Sequence, residues 1–99
     1  MTTKPKFLPD AEAEFLRETA YYSNVREGLG IKFREAVMVA VAKAVANPGG
    51  GAPSAGNTRS RLLKGFPFSV VYRASDKEFL VVSVAHHRRK PEYWLGRVK

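Results

Sequence analysis

Ninety-nine residues, 44% apolar and 26% charged, suffice for one folded domain with a real core and are too few for two. There is no Cys, which excludes a disulfide framework and a thiolate metal site, and no apolar run approaches the ~18 residues of a membrane span. The net charge of +8 is lopsided: residues 1–57 hold seven Lys/Arg against six Asp/Glu, and residues 58–99 hold ten against three. A cationic half of this kind attracts nucleic acid or an acidic protein, and the plain alternative is a soluble basic surface.

In chain order, the N-terminal MTTKPKFLPD has no apolar stretch of signal-peptide length, so a cytoplasmic protein, one domain over residues 1–99, is the expectation. Residues 4–8 read as a short edge strand closed by Pro9. A first helix is predicted from Asp10, its N-cap, to about Ser23-Asn24, with Glu12 and Glu14 suiting the positive end of the dipole. Its inner stripe is Ala11, Phe15 and Tyr22, extended by Leu16 and Thr19. After Gly28-Leu29-Gly30, a second helix repeats Leu29, Phe33, Val37, Val41 and Val45, flanked by Ala36, Ala40 and Ala44, and stops at Asn47-Pro48. The alanines permit close approach, so the two helices are expected to form an antiparallel hairpin.

Residues 47–58 (NPGGGAPSAGNT) hold four Gly and two Pro and read as an exposed flexible connector. A phosphate-binding loop is excluded there, because no Gly-Lys-Ser/Thr follows and a helix precedes. Three strands come next, at residues 60–64, 68–73 and 79–86, the last two joined by a Ser75–Glu78 hairpin turn. Phe68, Val70 and Tyr72 alternate with Ser69, Val71 and Arg73. In the last strand Leu80, Val82 and Val84 are expected to face the helices, and Phe79, Val81, Ser83 and Ala85 the other side. Both faces are mostly apolar, as in a central strand. The fold class is α+β, a two-helix hairpin on one face of a small antiparallel sheet, β-α-α-β-β-β.

The last strand runs into His86, His87, Arg88, Arg89 and Lys90, then Pro91, Tyr93 and Trp94. A rigid element thus delivers a cationic, aromatic-flanked surface to one place, the layout of a site that grips something anionic. Two adjacent His without acidic or Cys partners at ligand spacing make a poor metal site, and no cofactor is suggested.

The ordered pieces FLPDAEAEFLRETAYYSN, GLGIKFREAV, AVANP, RLLKGFPFSVVYR and VVSVAHHRRKPEYW resemble the RelE/ParE superfamily, the toxins of type II toxin–antitoxin modules, over nearly the whole chain. The last two are similar to the ParE-like, plasmid-stabilisation branch. The resemblance implies the same hairpin-on-sheet fold and one of two activities. RelE-like members are ribosome-dependent mRNA endoribonucleases, whereas ParE-like members poison DNA gyrase. RNA cleavage needs a general base, a general acid and stabilisation of the phosphorane charge. Carried across, the C-terminal Tyr of the ribonucleases falls at Tyr93. Their middle-strand Arg falls at Ser69, their paired Lys near Ser60 and Leu62 (with Arg59, Arg61 and Lys64 adjacent), and their last Arg at or beside His87. The set is incomplete, which favours the ParE-like reading, with Arg88, Arg89, Lys90, Trp94 and Arg61 as target-binding residues. In the ribonuclease alternative His87, Tyr93 and Arg89 are catalytic, with Arg61 as a second candidate for charge stabilisation. His86 reads as structural, His87 stands open between the two roles, and Tyr93 and Trp94 alternatively cap the core. A nontoxic basic binding module is the third reading.

A cognate acidic antitoxin is implied, for which the sheet edges and the basic half are suited. No membrane partner is implied. The apolar outer face around Phe79 and Val81 needs a cover, either the N-terminal strand, the segment 93–95 or the antitoxin.

Overall fold

The computed structural model describes residues 4–98; residues 1–3 and 99, the ends of the expected domain, lie outside them. The elements are β1 (Pro5–Phe7), α1 (Pro9–Val25), α2 (Leu29–Ala46), β2 (Ala52–Ser54), β3 (Thr58–Leu62), β4 (Phe68–Ala74) and β5 (Phe79–His86). Short 3₁₀ turns cover Pro48–Gly50 and Leu95–Val98. Two helices against a five-stranded sheet confirm the α+β class, with two corrections. The strand order is β1-β5-β4-β3-β2, and β1 pairs parallel to β5, so the sheet is mixed and not purely antiparallel. The supposed connector also contributes a strand, β2, paired antiparallel to β3. Its approach is held by the Tyr72 hydroxyl, which donates to the Pro48 carbonyl at 2.6 Å. At Gly51 a Cβ would lie 2.3 Å from that hydroxyl, so glycine alone fits.

Helix α1 starts one residue earlier than read, with Pro9 at its first turn and Leu8, not Asp10, in the N-cap position. The α2 stripe is as spaced in the sequence: Phe33, Val37, Ala40, Val41 and Ala44 are buried. Gly28 precedes α2 at φ 82°, a left-handed turn suited to glycine. The helices approach at Gly30, where a Cβ would meet the Thr19 carbonyl at 2.8 Å. Phe33 sits at the centre of the helix–sheet core, 5.1 Å from the rings of Tyr22 and Phe68 and 5.2 Å from Phe66.

The β4 alternation holds, since Phe68, Val70 and Tyr72 join the helix-side core and Val71 the opposite cluster. The expected parity of β5 is half inverted. Val71 pairs with Ser83 but Tyr72 pairs with Val81, so Val82 is an extra residue, a β-bulge. Phe79 and Val81 therefore pack on the helices, as does Val84 beyond the bulge, while Val82 turns to the outer face. That outer face, built on Val71 and Val82, is covered by Trp94 with Tyr93, Leu95 and Val98. Among the described residues no helix is long and apolar enough to cross a membrane.

Candidate functional site

Strand β5 ends at His86 and the chain turns back over the outer face of the sheet. The His87 N–H donates to the Pro67 carbonyl at 2.9 Å, and the Arg89 N–H to the His86 carbonyl at 3.0 Å. The segment then closes local turns, Tyr93 N–H to Lys90 and Leu95 N–H to Glu92, with Glu92 at φ 61°. Between this segment and β2–β5 lies a cleft of about 340 Å³. On the segment side it is lined by His87, Arg89 and Lys90, by the carboxylate-bearing Glu92, and by Tyr93 and Trp94. On the sheet side the small side chains Ser54, Ser60, Ser69 and Ala85 line it, with Val71 and, at the end of β5, His86.

Pairing explains that floor. Residues opposite one another in a ladder share a face, and Ser60 lies opposite Val71 while Ser69 lies opposite Ala85. The positions to which the resemblance assigns the ribonuclease cations on the middle strands are thus on the cleft face, and serine occupies two of them. The His87 Nε2 lies 2.9 Å from the Ser69 hydroxyl. Arg88, Arg89 and Lys90 are exposed and, among the described residues, make no salt bridge. The Arg89 guanidinium instead lies over the Tyr93 ring, 4.0 Å from its centroid.

Several expected residues take other places. Arg61 sits opposite Val70, on the helix face of the sheet, and lines a separate groove beside α2 with Lys32, Lys43 and Lys64. Strand alternation puts it on the face opposite Ser60, so it does not join the cleft. Trp94 is 5% exposed, packed on Val71 and Val82, so its surface is taken up by the fold and not offered as a partner's anchor. His86 has the structural role read for it: its ring meets Phe68 edge-on at 4.8 Å, and its Nδ1 accepts from the Arg88 N–H at 3.0 Å.

The residue that sequence reasoning missed is Glu14. Assigned to the helix dipole, it is buried instead, and its carboxylate is filled on both oxygens. Oε1 accepts from the Ser83 hydroxyl at 3.0 Å, the Val84 N–H at 3.1 Å and the Arg97 Nη1 at 3.0 Å. Oε2 accepts from the Tyr93 hydroxyl at 2.5 Å and the Arg97 Nη2 at 2.9 Å. Arg97 also donates to the Val82 carbonyl at 3.0 Å and lies 3.6 Å from Asp10. Burial pushes the Glu14 carboxyl up, but Arg97, Tyr93 and the Val84 N–H outweigh it and hold the group below its ordinary value. Burial and donation to Glu14 push Tyr93 up. The signal for Glu14 was present in the spacing: it follows Ala11 by three residues on the buried stripe, where an acidic side chain requires a partner. Among the described residues no group of three or more His, Asp and Glu is placed to hold a metal ion.

No family profile matches the chain, and no curated protein matches it. Among solved structures, a chain of the chromosomal ParDE TA system from P. aeruginosa is similar, with a TM-score of 0.71 and 26% identity over 86% of this chain and 96% of that one. The helical hairpin on a mixed five-stranded sheet is therefore an architecture that this chain shares with a component of a toxin–antitoxin system.

Proposed function

We propose that this protein is the toxin of a type II toxin–antitoxin pair, of the ParE-like kind. It arrests growth by binding a cytoplasmic target, DNA gyrase in the first place, and is neutralised by an acidic antitoxin. The likeness to the ParDE chain supports the toxin reading. One observation favours contact over chemistry: a neutral serine floor lies beneath exposed Arg89 and Lys90, which with the neighbouring Arg88 make no salt bridge among the described residues. Phosphoryl chemistry needs charge stabilisation aimed at the reacting phosphate, and small hydroxyls in place of Lys and Arg supply little of it. An exposed arginine surface suits docking on an acidic protein. Replacing Arg88 and Arg89 together with Glu is expected to abolish growth arrest while leaving the domain folded, since both side chains are exposed. Retained growth arrest would sink the reading.

The ribonuclease alternative is favoured by one feature, that His87, Arg89 and Tyr93 do line a common cleft. Against it, the Tyr93 hydroxyl donates to Glu14 and is pushed above its ordinary titration range, which makes it a poor proton-transfer group. In this alternative, Tyr93→Phe and His87→Ala relieve translation arrest; if both leave it intact, the mechanism is untenable.

A further inference from the structure

We propose that Glu14 and Arg97 are positioning residues for the cationic surface, acting on Arg89 through Tyr93. This rests on the reading of Arg88, Arg89 and Lys90 as the target-binding face. The segment that carries those residues, 87–98, has only local turns and one 3₁₀ turn of its own. Its position is set from outside. At its start the His87 N–H is tied to Pro67. From its middle onward, the Tyr93 hydroxyl and the Arg97 guanidinium both converge on the carboxylate of Glu14, which belongs to α1.

The location of that convergence has a topological cause. Strand β1 ends at Phe7, and the Leu8 N–H makes the last backbone bond to β5, at Val81. Beyond it the edge of β5 has no strand neighbour among the described residues. Arg97 takes the Val82 carbonyl and Glu14 takes the Val84 N–H, so the ion pair completes the edge where β1 stops. The bulge at Val82 lies at this same point and Ser83, beside it, donates to the same carboxylate.

From there the chain of contacts leads outward. Glu14 fixes the Tyr93 hydroxyl, and the Tyr93 ring lies beneath the Arg89 guanidinium, which has no carboxylate partner among the described residues. A buried ion pair adds little stability over well-packed apolar residues of similar size, and its better-attested use is to specify geometry. Here the geometry is the placement of one exposed cation.

The chain holds a single Trp, Trp94, inside the positioned segment, so its fluorescence reports that segment alone. Arg89 over an aromatic ring has an upfield-shifted side-chain resonance. In the purified full-length Glu14→Gln variant the expected results are a red-shifted, quencher-accessible Trp94, loss of the Arg89 shift, retained far-UV helix signal, and growth arrest weakened about tenfold or more. A folded variant in which Trp94 stays buried and the Arg89 shift persists would overturn the proposal, because a merely stabilising Glu14 leaves both unmoved in the folded population. If Glu14→Gln does not fold, Arg97→Lys, which keeps the charge and gives up the two-pronged contact, is read instead. A part-way move of both signals is expected, and none overturns. Loss of both signals with undiminished growth arrest would contradict the target-binding reading and leave the positioning chain standing.

Discussion

Glu14 has 5% of its side chain exposed, and a carboxylate survives that burial only with its oxygens filled. Replacing it with Gln leaves the Arg97 guanidinium, itself 18% exposed, with only the exposed Asp10 carboxylate at 3.6 Å as a counter-charge. The expected cost is about 3 kcal/mol, read as a fall in melting temperature of roughly 15 °C for a domain of this size. The pH dependence follows from the sign of the shift. The carboxyl titrates lower in the folded protein than its ordinary 4.5, so its contribution is complete above that value and fades as pH drops through the lower folded value. Thermal melts between neutral pH and below pH 4.5 are expected to show the wild-type advantage over Glu14→Gln shrinking toward the acid end. An advantage independent of pH would mean that charge is not what stabilises the site. Tyr93 has the opposite sign: its folded value is raised, so its contribution holds below 10 and is lost as pH rises through the raised value.

At the scale of elements, the helix hairpin depends on a close approach. A Cβ at Gly30 would lie 1.9 Å from the Ser23 hydroxyl oxygen and 2.8 Å from the Thr19 carbonyl. Gly30→Ala is therefore expected to spread the hairpin at a cost of about 2 kcal/mol, despite the better helix propensity of Ala; thermal unfolding followed by circular dichroism measures it, and an unchanged or raised melting temperature would contradict the contact. Both helices were legible because α1 and α2 each bury one face against a sheet, which imposes a spacing that survives in sequence. The α2 repeat of Phe33, Val37 and Val41 is the clearest case. Strand β2 was not legible, because three residues among Gly and Pro have no pattern of their own and become a strand only through pairing with β3. The β5 parity was not legible either. Val81-Val82-Ser83-Val84 offers buried residues on both sides of the sheet, so nothing in the run marks where the bulge inverts it. Arg61 shows the reverse: alternation with Ser60 already separates the two onto opposite faces, and only the assignment of faces required the pairing with β4. Of the cleft, His87, Arg89, Lys90 and Tyr93 were visible in sequence. Its serine floor and its support by Glu14 and Arg97 depend on contacts between residues far apart in the chain.

Across the whole molecule, positive charge and the proposed target-binding surface coincide. The basic half is the strand-rich half, and the segment after β5 brings three adjacent cations to one exposed turn. Contacts made through such groups weaken as salt screens them over about 10 Å at 0.1 M. Target association is accordingly expected to slow several-fold between low and moderate salt, mostly in the on-rate, which stopped-flow or surface-based kinetics would read. An on-rate indifferent to salt would point to an apolar docking face instead. The measurement that bears most directly on the account is a DNA gyrase supercoiling assay with purified, antitoxin-free protein. Dose-dependent inhibition or trapped cleaved DNA, abolished by Arg88→Glu with Arg89→Glu, is the predicted result. Unimpaired supercoiling, from protein that still stops cell growth, would contradict it.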